Sequence, residues 1–230
     1  MRKLHELEDN LFDEWKDEFS KNGDEGFCAD GLYVSEIGNQ EELWNAAKRK
    51  ILFLMKDPNQ NSESDYRHWE LEGKASSSFF ILINSWLKGL TNINTQNEPL
   101  PITNEFNNDL PLVIVNVKKA SGFQSVSNKL VWQYAEKYIK FLKSQVRDIY
   151  SPNIIVCGGG AGILLDVAKL IYSDVKFEKF VGNNWIYYSV ERKIVLIDSF
   201  HPSSRKSYDD KYTDLILAFQ EFLGENIFEI

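Results

Sequence analysis

The chain has 230 residues, 43% of them hydrophobic and 26% charged, with a net charge of −8 and a sequence pI near 5.0. That is the composition of a globular chain of one-domain size with a core of its own. The surplus of acid argues against a surface coated in cations for nucleic acid. Two cysteines (Cys28, Cys157) and three histidines are too few for a disulfide framework, a four-thiolate iron–sulfur cluster or a spaced zinc motif, and no apolar stretch reaches the ~20 residues of a membrane helix.

The charge is uneven: residues 1–30 carry four basic against ten acidic side chains, so the remaining 200 are close to neutral. The start, Met1-Arg2-Lys3-Leu4-His5-Glu6, has no apolar run after its basic pair, which predicts no signal peptide and a reduced, cytoplasmic protein. Leu4, Leu7, Leu11, Trp15 and Phe19 recur at helical spacing, with Asp and Glu expected on the opposite face. A Gly-punctuated stretch follows over 21–38, then a short helix over 41–50. Together, 1–50 read as an acidic N-terminal helical extension packed on a single α/β domain that spans 1–230.

From Ile51 the pattern changes. Apolar runs over 51–55, 112–117, 154–157 and 194–197 read as strands buried on both faces, and Pro58 stops the first. Helical patterns lie between and after them, over 79–90, 128–149 (capped by Ser127), 163–172 and 212–223. Trp185 to Val190 forms a hairpin with the fourth run through Glu191-Arg192-Lys193. The alternation predicts a three-layer α/β/α sandwich around a central, mainly parallel, four-stranded sheet. The stretch 89–109, rich in Asn, Thr and Pro, reads as a long loop.

Ligands of open parallel sheets bind beyond the carboxyl ends of the strands. Those ends carry Asp57-Pro58-Asn59, then Asn116 with Lys118 and Lys119, then Gly158-Gly159-Gly160-Ala161-Gly162, and finally His201-Pro202-Ser203-Ser204. The glycine turn lacks the spacing of a dinucleotide fingerprint, because Ile163 stands where the last glycine is needed. Close backbone packing accounts for it better. Neither a P-loop nor a G-x-S-x-G serine elbow occurs.

In the order of these four ends the chain resembles the uracil-DNA glycosylase superfamily. Met55-Lys56-Asp57-Pro58 stands at the first motif, Val113-Ile114-Val115-Asn116 at the second, and His201-Pro202-Ser203-Ser204-Arg205 at the last; Val156-Cys157-Gly158 falls at the strand that ends in glycine. The resemblance runs from about residue 50 to 205. It implies a hydrolase that flips a uracil-like or modified base out of DNA, single-stranded or modified, and cuts its N-glycosidic bond. Such a protein would serve DNA repair as a monomer, without metal or organic cofactor. Asp57 would stabilise the oxocarbenium-like sugar and direct water; His201 would hydrogen-bond the departing base anion. Asn116 would read the base edge, with Asn59 and Pro58 lining the pocket, and Ser203, Ser204, Arg205 and Lys118 would meet phosphates. Tyr66 or Trp69 would stack on the base, and Lys74 with Ser76-Ser77-Ser78 is either a phosphate contact or a serine-rich helix start. Three departures stand out: Met55 replaces a glycine, Asn59 a tyrosine that excludes 5-substituted pyrimidines, and Arg205 a leucine wedge. Two other expectations share the fold, a non-catalytic module that binds a nucleobase or modified DNA and a nucleoside or nucleotide hydrolase.

Overall fold

A computed structural model describes residues 3–34, 39–59, 62–68, 77–104, 108–122, 126–160 and 162–230. Seven α-helices and nine strands alternate along it: α1 (Leu4–Lys21), β1 (Cys28–Ala29), β2 (Gly31–Leu32), α2 (Gln40–Ala46), β3 (Ile51–Met55), β4 (Ser64–Asp65), α3 (Ser78–Asn92), β5 (Val113–Asn116), α4 (Asn128–Lys137), α5 (Ile139–Lys143), β6 (Ile154–Cys157), α6 (Ile163–Ile171), β7 (Glu178–Lys179), β8 (Ile186–Ser189), β9 (Ile194–Asp198) and α7 (Tyr208–Gly224). A 3₁₀ turn spans Tyr66–His68 and a π-helical turn spans Ser144–Tyr150.

The fold is α/β, but its sheet is mixed and has seven strands in the order β2-β5-β3-β6-β9-β8-β7, not four. β3 pairs in parallel with β5 and β6, and β6 with β9; β2, β7 and β8 join antiparallel. Of the three further strands, β2 and β7 have two residues each, too short to show a periodicity. The hairpin of β8 with β9 forms where the sequence predicts it, with Lys193 in the left-handed region at φ 51°.

Each continuous apolar run is split between two cores by the alternation of a strand. Leu52 and Leu54 of β3 face α1, α4, α5 and α6, whereas Ile51, Phe53 and Met55 face α3 and α7. β6 and β9 divide in the same way: Ile155, Cys157 and Leu196 face one side, Val156, Val195 and Ile197 the other. Ser77 caps α3, Ser127 caps α4 and Ser207 caps α7, each accepting a backbone N–H three residues on.

Two expectations are corrected. The helix over 128–149 is not continuous: it breaks at Tyr138 (φ −116°, ψ 22°), resumes as α5 and widens into the π turn. The N-terminal segment packs on the domain and also enters its sheet. β2 is a strand of the main sheet, and α1 buries Trp15 flat against Phe141, centroids 5.1 Å apart. Its acids do not all face water, because Glu8 is wholly buried. The Tyr150 hydroxyl donates to Glu8 Oε1 and accepts the Leu32 N–H at 2.5 Å; Arg67 Nη1 and His5 Nδ1 lie 3.6 and 3.4 Å from Glu8 Oε2. Burial pushes the Glu8 carboxyl up, while these donors and charges pull it down.

Candidate functional site

β3, β5 and β9 end on one edge of the sheet, and a cavity of about 540 Å³ opens there. Asp57, Pro58, Asn59, Asn116, His201 and Ser203 all line it, so six of the nine residues expected from the sequence converge. The volume falls in the usual range of small-molecule sites.

The Asp57-Pro58-Asn59 turn is held by its own backbone. Pro58 fixes φ, and Asn59 takes the left-handed conformation at φ 50°, which asparagine tolerates better than most residues. In that shape the Asn59 N–H reaches the Asp57 carboxylate. Burial pushes the Asp57 carboxyl up from 3.8, opposed by Lys118, the Asn59 N–H and Lys56. Tyr66, on the 3₁₀ turn, donates its hydroxyl to the Pro58 carbonyl at 2.6 Å and presents its ring to the cavity.

His201 is oriented by the loop that carries it. Its Nδ1 accepts the Ser203 N–H at 3.1 Å, so the proton of the neutral ring sits on Nε2, a donor. Burial first, then the charges of Lys56 and Lys211, lower its pKa from 6.5 and keep the ring neutral at neutral pH. Lys211, almost fully buried on α7, donates to the Pro202 and Ser204 carbonyls at 2.5 and 3.0 Å and so pins the loop.

Asn116 ends β5 with its amide held in place, its backbone N and Nδ2 lying 2.8 and 3.0 Å from Asp30 Oδ2. Asp30, between β1 and β2, also accepts from the ammonium of Lys119 and from Gln145. Among the described residues nothing donates to Asn116 Oδ1.

Three expected phosphate ligands stand elsewhere. Lys118 and Lys119 are not solvated cations: both are buried, with their ammonium groups 5.9 Å from the Tyr134 ring of α4 and 5.2 Å from the Trp15 ring of α1. Lys118 donates to the Ala120 and Ser121 carbonyls at 2.6 and 3.3 Å, and burial lowers its pKa. The Ser204 hydroxyl is enclosed without a hydrogen-bond partner among the described residues. Arg205 is exposed but does not line the cavity, and Lys206 pairs with Asp214. The glycine turn is a packing device: a Cβ on Gly158 would come within 2.5 Å of Met55 Cε, and Gly160 and Gly162 have positive φ.

Several lining residues were not foreseen. Asp30 and Gly31 sit in an acidic, irregular stretch without periodicity, and nothing local marks Asp30 as buried. Phe79 reads as part of the apolar face of the helix over 79–90, yet the first turn of α3 brings it and Phe80 to the cavity, with Phe79 6.0 Å from the His201 ring. Lys56 follows β3 directly; it lines the cavity and donates to Asn128 Oδ1 at 2.9 Å. Trp69, Lys74, Ser76 and Ala161 lie outside the described residues.

Among the described residues no group of three or more His, Cys, Asp or Glu could hold a metal ion, and no helix is long and apolar enough to cross a membrane. No family model matches this chain, and no curated protein matches it.

Proposed function

We propose that the cavity receives a nucleobase flipped out of DNA and that the chain hydrolyses its N-glycosidic bond, as a divergent member of the uracil-DNA glycosylase superfamily. One observation carries this reading. A carboxylate, a side-chain amide and a neutral histidine, from the ends of three different strands, line a single aromatic-walled cavity. Phe79, Phe80 and Tyr66 line the cavity and are available to a planar base, and base–aromatic stacking contributes about 1–3 kcal/mol per base.

The chemistry follows from the charges. As the C1′–N bond lengthens, its electron pair passes to the base and positive charge spreads over the sugar. The Asp57 carboxylate stabilises that charge and takes a proton from the water that attacks C1′. Negative charge collects on a carbonyl oxygen of the base, toward which the His201 Nε2–H donates. A neutral ring suits this role because its Nδ1 is committed to Ser203. Lys56 at the cavity wall and exposed Ser203 and Arg205 would contact the sugar–phosphate chain.

The test is direct. Short single-stranded oligonucleotides carrying uracil, hypoxanthine or a 5-modified pyrimidine are incubated with the protein and then treated with alkali, which breaks the strand at abasic sites. Scission at one of these bases, reduced ~10²–10³-fold by Asp57→Asn, is the expected result. Intact strands for every base would overturn the reading, and release of base from free nucleosides alone would redirect it to a nucleoside hydrolase.

A further inference from the structure

A side-chain amide can present either of two faces. Half a turn about its last bond exchanges oxygen for nitrogen with almost no change in shape, so an asparagine on a cavity wall can serve as acceptor or donor. At Asn116 the choice is made by its neighbour on the wall, Asp30. Its Nδ2 and backbone N both donate to Asp30 Oδ2, at 3.0 and 2.8 Å. Asp30 is 1% exposed; its other oxygen accepts from the Lys119 ammonium and from Gln145 Nε2 at 3.3 Å, and Gln145 also holds the Asp30 carbonyl at 2.9 Å. Lys119 is itself fully buried over the rings of Trp15 and Phe12, at 5.2 and 5.9 Å. A carboxylate has no hydrogen to give. If the Asn116 amide turned over, its oxygen would face a carboxylate oxygen where no water relieves the repulsion.

We propose that Asp30, anchored by Lys119 and Gln145, is a positioning residue that fixes the Asn116 carbonyl toward the cavity, so that the site accepts bases whose ring nitrogen carries a hydrogen there and rejects bases whose ring nitrogen is bare. The assignment rests on the cavity being a base pocket. Lactam and imide bases present such an N–H; cytosine presents a lone pair, which meets the Asn116 oxygen head-on. Asp30 does not take part in bond cleavage. Its acceptor sites are filled by Asn116, Lys119 and Gln145, whereas Asp57, the other carboxylate on the wall, has no such set of side-chain donors among the described residues.

The decisive variant is the double substitution Asp30→Leu/Lys119→Met. Leucine at 30 has nearly the shape of aspartate and no acceptor, so nothing beside Asn116 distinguishes its amide oxygen from its nitrogen. Methionine at 119 avoids a buried ammonium without a partner. The probes are two short single-stranded oligonucleotides that differ only in one central residue, 2′-fluoro-2′-deoxyuridine or 2′-fluoro-2′-deoxycytidine. The fluorine slows cleavage, so anisotropy reads binding. The wild type is expected to prefer the uracil probe by about tenfold or more, and the double variant by less than about twofold, through a gain for the cytosine probe. An undiminished preference in the folded double variant overturns the proposal.

A second measurement uses the wild type alone. In protein labelled with ¹⁵N-asparagine, one Nδ2 proton of Asn116 is expected to exchange with D₂O at least ~100-fold more slowly than those of exposed Asn10 or Asn92, because it is held by a buried carboxylate. Exchange as fast as at those sites overturns the Asp30 clasp whatever the protein does to DNA. Slow exchange with no preference between the probes removes the base-pocket reading and the specificity assignment with it, and leaves Asp30 a purely structural residue.

Discussion

At the scale of residues, Lys56 links the two groups at the centre of the proposed chemistry. Its charge lowers the pKa of both Asp57 and His201, while burial raises the first and lowers the second. Base release requires Asp57 ionised, and protonating His201 at Nδ1 breaks its bond to the Ser203 N–H. The rate is therefore expected to be level from neutral pH upward and to fall in acid, as pH drops through the raised Asp57 pKa and the lowered His201 pKa. Removing the Lys56 charge raises both values. Lys56→Met is thus expected to move the acid limb of the pH–rate profile to higher pH, with the plateau kept within about tenfold; an unmoved limb would show that other groups set it. Lys211→Met leaves the Pro202 and Ser204 carbonyls without their donor. Its expected cost is roughly 1–3 kcal/mol in urea unfolding, with weaker base release because the His201 loop loosens.

The elements differ in how far the sequence announces them. β3, β6 and β9 were legible because strands covered on both faces must be apolar along their length, and Pro58 bounds the first and a Gly-rich turn the second. β1, β2 and β7 were not, since two residues carry no period and their pairing is decided by distant partners. The break after α4 was hidden for a different reason. Tyr138, Phe141, Leu142 and Val146 continue an α-helical stripe, and one extra residue in the π turn shifts the backbone hydrogen bonds without disturbing that stripe. Asp57, Asn116 and His201 were legible as strand-end residues, whereas Asp30 was invisible because its meaning lies in Asn116 and Lys119, 86 and 89 residues away. The same reasoning gives α1 a weight its acidity conceals. Trp15 is fully buried among Phe27, Tyr138 and Phe141, so Trp15→Ala is expected to cost roughly 3–5 kcal/mol by denaturant titration. A loss below ~1 kcal/mol would show that α1 contributes little to the stability of the domain. Gly158→Ala, which presses a methyl group on Met55, should cost less, about 1–3 kcal/mol, because a thioether side chain can give way.

For the molecule as a whole, the net charge of −8 and the inward turn of Lys118 and Lys119 leave few cations to meet a phosphate chain. The recognition proposed here therefore depends on the cavity rather than on the backbone of the nucleic acid. If two or three phosphates are neutralised, the logarithm of single-strand affinity should fall with the logarithm of salt at a slope of only about −1.4 to −2.1. A slope steeper than about −4 would reveal a cationic surface that these residues do not form. The tie between the first helix and the rest of the chain also bears on how the protein is made. Glu8 finds its hydroxyl partner 142 residues later, and Leu32 finds the same tyrosine 118 residues later. At ribosomal speeds of ~5–20 residues per second, Trp15 is made roughly 6–25 seconds before Tyr138 and Phe141, which complete its cover. Until then part of that face stays uncovered, which makes α1 a point where a chain stalled before Tyr138 would begin to aggregate.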